Sequence, residues 1–436
     1  MTVSSHRLLI VGNGGREHAL AWKLAASPRV ADIYVAPGNA GTHGMDHVSN
    51  VAIAADDIDG LLAFARDNAI TLTVVGPEAP LAAGIVDGFE AAGLACFGPK
   101  RSAAALEASK TFSKDFLARH AIPTAAYANF ADYEAAAAYI RAQGTPIVIK
   151  ADGLAAGKGV TLAHTEAEAL AAAREMLEDN RFGDAGARIV VEDYLVGEEA
   201  SFIALVDGRN ILPLASSQDH KAALDGDTGP NTGGMGAYSP APVVTDEIAA
   251  RAMAEIIEPT VAALAEEGRA FTGFLYAGLM IDATGSAKVL EFNVRLGDPE
   301  TQPILMRLES DLLALIEAAL AGTLDQTEAR WREEAALGVV LTAGGYPGAY
   351  DKGDRIAGLQ AIGQTDCVVF HAGTQLDAAG DVITDGGRVL SVCALGTDVA
   401  AAQQRAYSGV AVIDWPGMTY RRDIGHRAID RNLADE

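Results

Sequence analysis

KVLEFNVRLGDPETQ, Lys288 to Gln302, is the stretch whose reading decides the fold. Taken as a strand from Lys288 to Arg295, it alternates: Leu290, Phe292 and Val294 fall on one face, and Glu291, Asn293 and Arg295 on the other. The apolar face needs a core to pack on. The other face sets a carboxylate, an amide and a guanidinium in a row. Such oxygens suit a hard cation like Mg²⁺, which keeps positions for water and phosphate, and an arginine there can grip a phosphate bidentately. A solvated edge strand would read the same way, so the rest of the chain must decide.

The 436 residues suffice for about three domains, and half of them are hydrophobic. With 58 acidic against 33 basic residues the formal charge is -25, which opposes binding to nucleic acid or to anionic membranes. Any bound phosphate must therefore be held by local groups. Cys96, Cys367 and Cys393 are scattered without a C-x-x-C pair, so neither a disulfide framework nor a zinc site is expected. Only Ser4, Ser5, His6 and Arg7 stand directly before the first apolar run, with no signal pattern, and no segment reaches about 18 uninterrupted apolar residues. A soluble cytoplasmic protein, a monomer, is expected.

Arg7 to Val11 predicts a buried strand running into Gly12-Asn13-Gly14-Gly15-Arg16-Glu17-His18, and Ala19 to Ala26 a helix. A glycine turn between strand and helix lets the backbone approach a phosphate at a helix N-terminus. The spacing is G-x-G-G where a dinucleotide site has G-x-G-x-x-G, and the next strand, Ile33 to Ala36, ends in Pro37-Gly38-Asn39 with no ribose-binding acid. A sugar phosphate fits better than NAD, although an NAD-binding oxidoreductase stays open. Leu72 to Val75, ending at Gly76-Pro77-Glu78-Ala79-Pro80-Leu81, and Ala95 to Gly98 continue the pattern, with helices near 57–68 and 81–92. This predicts a doubly wound parallel sheet with its ligands beyond the strands' carboxyl ends.

Helices are expected at 111–120 and 133–143, then the strand Ile147 to Lys150 opening a Gly/Ala loop, Asp152 to Val160, that carries Gly157, Lys158 and Gly159. This reads as a phosphate-covering flap, not a Walker A loop, since Gly159 stands where Ser or Thr would follow the lysine. Arg188 to Glu192 is a strand followed by a hinge through Leu195 to Glu199, whose flanking carboxylates can accept from an adenine amino group and a ribose. Ser216 to Pro240, with five glycines and little periodicity, predicts an irregular substrate loop carrying Asp219, His220, Lys221, Asn231 and Gly234. His220 reads as a hydrogen-bonding loop residue. A helix kinked at Pro259, a hairpin of 275–282 with 287–295, a helix over 305–320, a polar linker over 322–334 and a small α+β unit complete the chain.

GNGGREHA, APGNAGT, VGPEAPL, KADGLAAGKGV, SQDHK, GPNTGGMGAYSP and EFNVRLGDPETQ, in this order, resemble the ATP-grasp ligases, and within them the family that joins glycine to 5-phosphoribosylamine in de novo purine synthesis. The likeness runs essentially from Gly12 to Gly425. It implies an N-terminal α/β substrate domain over 1–108, a catalytic core over 109–127 and 199–331, a flap over 128–198 and a C-terminal α+β domain over 332–436. It implies that Lys110, Lys150, Gly157, Lys158 and Gly159 meet ATP phosphates, and that Glu192, Leu195 and Glu199 hold adenosine. Glu291 and Asn293 would ligate Mg²⁺ or Mn²⁺, with Arg295, Lys221 and Asp298 catalytic. Gly14, Gly15, Arg16, Glu17, Gly38, Asn39, Pro77, Glu78, Asp219, Asn231 and Gly234 would bind substrate. In many ATP-grasp enzymes the strand before supplies a further acid, but here it reads LYAGLMI and reaches one only at Asp282. Another ATP-grasp ligase acting on a different amine, and a non-catalytic nucleotide-binding module, remain alternatives.

Overall fold

The computed structural model describes residues 5–154, 159–179 and 186–435. Five parallel strands open the chain: β1 (His6–Gly12), β2 (Val30–Pro37), β3 (Val48–Asn50), β4 (Leu72–Val75) and β5 (Cys96–Phe97), in the order β3-β2-β1-β4-β5. The predicted doubly wound sheet is present, with β3 as an edge strand that the sequence pattern did not announce. Leu8 to Val11 are wholly buried on both faces because helices cover both sides, which is why the strand is a continuous apolar run. The first helix begins at Gly15, directly after the glycine turn rather than at Ala19. The helix predicted over 81–92 is two short ones, Glu78–Ala83 and Ile85–Ala91, broken at Gly84 with φ of 95°.

The flap is a separate antiparallel sheet of β6 (Tyr127–Phe130), β7 (Ile147–Ala151), β8 (Val160–Ala163) and β9 (Ile189–Asp193), ordered β6-β9-β7-β8 and backed by the helices Tyr133–Gln143 and Glu166–Leu177. The catalytic sheet follows, with β10 (Glu198–Asp207) and β11 (Ile211–Pro213). The expected irregular loop comes next, and it is ordered as two ribbons: β12 (Gln218–Asp219), β13 (Ala222–Leu224), β14 (Thr228–Asn231) and β15 (Gly236–Ser239). Its glycines hid this, since short polar strands leave no hydrophobic period to read.

β16 (Thr272–Ile281) and β17 (Ala287–Asn293) form the expected hairpin and complete the catalytic sheet as β11-β10-β16-β17. In register Gly278 faces Glu291 and Leu279 faces Val289, so Leu290 is an extra, bulged residue. The predicted face of Leu290, Phe292 and Val294 is therefore corrected: Val289, Phe292 and Val294 are buried, Leu290 is only half-buried, and the strand stops at Asn293 rather than Arg295.

The final domain holds β18 (Ala335–Thr342), β19 (Cys367–His371), β20 (Thr374–Leu376), β21 (Val382–Thr384) and β22 (Arg388–Gly396). Its main sheet runs β12-β15-β18-β22-β19, so two strands of the 216–240 segment are part of it. Two helix expectations also change. The chain from Asp246 to Glu266 stays helical through a π turn, Met253–Ile257, placed just before Pro259, whose missing N–H removes one α-type bond. The helix predicted over 305–320 is two, Thr301–Arg307 and Leu312–Ala321, the second capped by the Asp311 carboxylate on Leu313 N.

Candidate active site

Three buried charged groups, with the half-buried Lys110 beside them, meet where the flap joins the catalytic sheet. The Glu192 carboxylate lies 2.7 Å from Lys114 Nζ and 2.9 Å from Lys150 Nζ, and only 2% of Glu192 is exposed. Burial works against its charge, but the two ammonium groups outweigh burial and hold its pKa below the ordinary value. Lys150 also donates to Leu290 O at 3.0 Å, a carbonyl of the bulged residue. Lys114 donates to Thr124 Oγ1 at 2.7 Å, and burial pushes its pKa down to about 8 against the pull of Glu192. Lys110 donates to Gly153 O at 3.0 Å at the root of the flap loop. Gly159 lies at the far root, its carbonyl accepting from Ala151 N at 2.8 Å. Gly157 and Lys158 lie outside the described residues.

A second cluster is built on acids of β10 and β17 and shares Glu291 with the field of Lys150 and Lys110. Lys221 Nζ is 3.0 Å from Glu199 Oε1 and 4.0 Å from Glu291 Oε1, so one ammonium spans the predicted ribose acid and the predicted metal acid. Asp219 is buried beside them. Its pKa is pushed up to about 7, by burial first and by the carboxylates of Glu300, Glu199 and Glu291, with Lys221 opposing. Leu195 is half-buried in an exposed hinge with Tyr194 and Val196.

Glu291 and Asn293 both end on the site side of β17, and their oxygens form a hard donor set suited to Mg²⁺ or Mn²⁺. Glu291 is only half-buried and its pKa is held low by Lys221, Lys150 and Lys110 in spite of burial. Asn293 Oδ1 accepts from Arg295 at 3.0 Å. The cross-strand neighbour of Glu291 is Gly278, which has no side chain to offer, and the Asp282 carboxylate is spent on Thr284 and Ser286 in the exposed turn.

Arg295 is held by partners on other elements. Its Nε lies 3.2 Å from Glu78 Oε2 and an Nη 2.8 Å from Glu107 Oε1, while Glu107 Oε2 accepts from Val294 N at 2.7 Å. Burial raises the Glu107 pKa to about 7, with Arg295 opposing.

The turns after β1, β2 and β4 converge as the parallel topology requires. Glu17 accepts from Gly14 N and from Arg16 Nε, both at 2.6 Å, and Arg16 donates to Leu296 O at 3.1 Å. Gly76 is needed beside them, because a Cβ there would lie 2.0 Å from Glu17 Oε1. Gly15 packs against Gln302, and Gly38 has φ of 72°. Asn39 caps the Ala40–His43 turn and donates to Asn13 O and His371 O, while Pro77 stands at the N-cap position of the Glu78 helix without a side-chain hydrogen bond. Asp298 accepts from Arg16 N at 3.2 Å and lies 3.6 Å from Arg388. From the final domain, Arg388 donates to Gly233 O and to Asp298 O at 2.7 Å, seating Gly234 against Pro299. Asn231 is exposed on β14. His220 accepts from Gly425 N at 2.9 Å, consistent with a loop hydrogen-bonding role. His220, Asp227 and His426 come together, but Asp227 is already paired with Arg421 and Arg427, which makes a poor cation site.

Sequence reading missed Lys114, Glu107 and Arg388. Lys114 had a signal, being four residues from Lys110 on one helix. Arg388 had none, because it acts on carbonyls 155 and 90 residues away in sequence.

A parallel-sheet domain followed by a catalytic sheet with an inserted antiparallel flap, and lysines and carboxylates gathered at their junction, defines an ATP-grasp ligase. The chain matches three family descriptions in succession: Phosphoribosylglycinamide synthetase N domain over residues 6–107, its ATP-grasp (A) domain over 108–301 and its C domain over 336–427. It belongs to this family and is an ATP-dependent phosphoribosylamine–glycine ligase of purine biosynthesis. It is 62% identical to the phosphoribosylamine–glycine ligase of Vibrio cholerae and 63% to that of Allochromatium vinosum, each over 98% of this chain and 100% of the relative. The crystal structure of the Thermotoga maritima ligase superposes with a TM-score of 0.84 at 33% identity, covering 96% of this chain and all of that one. The biotin carboxylase domain of Hydrogenobacter thermophilus 2-oxoglutarate carboxylase shares the fold, with a TM-score of 0.72 at 16% identity over 95% of this chain and 91% of that one. Among the described residues no helix is long and apolar enough to cross a membrane.

Proposed function

We propose that the enzyme works through a glycyl phosphate. A glycine carboxylate oxygen attacks the γ-phosphorus of ATP, the bond to the β-phosphate bridging oxygen breaks, and ADP leaves. The phosphoribosylamine nitrogen then attacks the acyl carbon, loses a proton and expels phosphate, leaving the amide. Phosphoryl transfer needs positioning and charge neutralisation rather than a side-chain nucleophile, and the side chains at this junction are of that kind.

The observation that carries the reading is Lys150, at the end of flap strand β7, reaching the Leu290 carbonyl beside Glu291. It brings the flap's cation to the strand proposed to hold the metal. In this reading Lys110, Lys150 and the glycine loop neutralise ATP phosphates, while Glu192, the Leu195 backbone and Glu199 hold adenosine. Glu291 and Asn293 would hold Mg²⁺ or Mn²⁺, which when bound would neutralise phosphate charge. Arg295, held by Glu78 and Glu107, would orient the acyl phosphate with Lys221 and Asp298. Phosphoribosylamine would lie between the glycine turns and the Gly233–Gly234 bend, near Asp219 and Asn231. Closure of the flap would keep water from the acyl phosphate. The domain borders at 108, 127, 198 and 331 belong to the same proposal, as does a cytoplasmic monomer; scattered free cysteines suit a reducing compartment.

The test is ADP release from the purified enzyme against a panel of amino acids, with and without phosphoribosylamine. ADP is expected with glycine, in full with both substrates, and equal release with alanine would contradict the glycine assignment.

A further inference from the structure

The two lysines on Glu192 are tethered differently. Lys150 Nζ has Glu192 Oε1 at 2.9 Å and the Leu290 carbonyl at 3.0 Å. Lys114 Nζ has Glu192 Oε2 at 2.7 Å and Thr124 Oγ1 at 2.7 Å; the Thr124 hydroxyl in turn donates to Val289 O at 2.7 Å, and Val289 N donates to Pro123 O at 2.9 Å. Lys114 is thus fastened through a closed run of hydrogen bonds to the backbone of β17, from a helix of the core, Lys110–Arg119. Lys150 stands at the end of a flap strand. A carboxylate as buried as Glu192 needs a cation beside it in every state. If Lys150 is to meet the ATP phosphates, it must leave Glu192, and some other cation must stay.

We propose that Lys114 is a positioning residue that stays on Glu192 throughout the cycle and thereby frees Lys150 to move to the nucleotide phosphates. The inference rests on the phosphate role given to Lys150 above. Without Lys114 the single remaining cation is captive, and binding a triphosphate has to break its only pairing with a buried carboxylate. The cost falls on the phosphates and not on the base or ribose.

Calorimetry on the full-length enzyme with adenosine and with a non-hydrolysable ATP analogue reads this as a ratio of affinities. Lys114→Met is expected to lower the preference for the triphosphate roughly tenfold to a hundredfold, with adenosine within about twofold of wild type. Lys114→Arg is expected to keep the preference. In Lys114→Met/Glu192→Gln the captive charge is gone and the preference is expected to return, the ratio cancelling any direct effect of residue 192 on adenine. Equal weakening of both ligands, or an unchanged ratio, overturns the proposal. If Lys114→Met does not fold, Thr124→Val loosens the same tether; a smaller fall in the ratio is then expected, and no fall overturns it. Lys150→Met separates the two readings: a ratio it leaves unchanged means that the phosphate role of Lys150, on which the proposal rests, has failed, whereas a ratio that falls in Lys150→Met but not in Lys114→Met overturns the role of Lys114 alone.

Discussion

Replacing Arg388 by methionine should cripple the use of phosphoribosylamine while sparing ATP binding. The guanidinium joins three segments distant in sequence: it sits at the start of β22 and donates to Gly233 O in the segment proposed to hold phosphoribosylamine and to Asp298 O after β17. Methionine keeps most of the stem and removes the donors, leaving two part-buried carbonyls without their charged partner. A hydrogen bond to a charged group is worth about 1.5–3 kcal/mol, so the pair amounts to about 3–6 kcal/mol if both are lost without relaxation. One bond's worth falls on the Gly233–Gly234 bend. If that share is drawn from substrate binding, it corresponds to a rise of roughly 10- to 150-fold in the KM for phosphoribosylamine. The assay is ADP release with phosphoribosylamine varied at saturating glycine and ATP, beside hydrogen exchange of residues 228–236, which should speed up as the bend loosens. Arg388→Lys keeps a charge but not the fork and should fall between the two. A folded Arg388→Met protein with unchanged KM for phosphoribosylamine and unchanged exchange would refute the argument.

Two further outcomes are expected. Glu291→Ala should abolish metal-dependent ADP formation with the fold intact, since the side chain is only half-buried and faces a glycine across the hairpin; wild-type turnover at ordinary Mg²⁺ would sink the metal assignment. The three buried imidazoles should subtract stability as the solution is acidified from about pH 6.5 towards 4, while the buried carboxyls of Asp219 and Glu107, raised to about 7, add some over the same range. Burial lowers the pKa of His18 to about 3, with His371 adding, and burial lowers those of His220 and His371 to about 4, so below the ordinary value the unfolded chain takes up protons that the folded one refuses. Each histidine contributes a slope of at most about 1.4 kcal/mol per pH unit, so the three together give at most roughly 4. Ring resonances of His18, His220 and His371 that titrate near the ordinary imidazole value in the folded protein would show that these imidazoles are not held neutral by the fold.

Much of this was legible because it is local. Runs such as Leu8 to Val11 and Leu72 to Val75, each closed by glycine or proline, predict buried parallel strands without reference to any other part of the chain. The polar row of Glu291, Asn293 and Arg295 was readable from the period of a strand. The bulge at Leu290 was not, since a one-residue slip is set by the partner strand and leaves no mark in composition. The ribbons within 216–240 were missed for a related reason: β12 and β15 are strands because β18 is there to pair with.

By itself the sequence determined the order of the domains, the parallel sheet with its converging turns, the hairpin with its acid-amide row and the family. Each of these rests on short-range periodicity or on motifs of a few residues, where backbone sterics and side-chain alternation act alone. Only the tertiary structure decided which charges meet. It put Lys114 beside Lys150 on Glu192, set Glu78 and Glu107 on Arg295, and brought Arg388 from the last domain to the Gly233–Gly234 bend. Those pairings depend on burial and on contacts across the fold. In a chain with 58 acids and 33 basic residues, composition offers many pairings that would satisfy the charges equally well, and only packing selects among them.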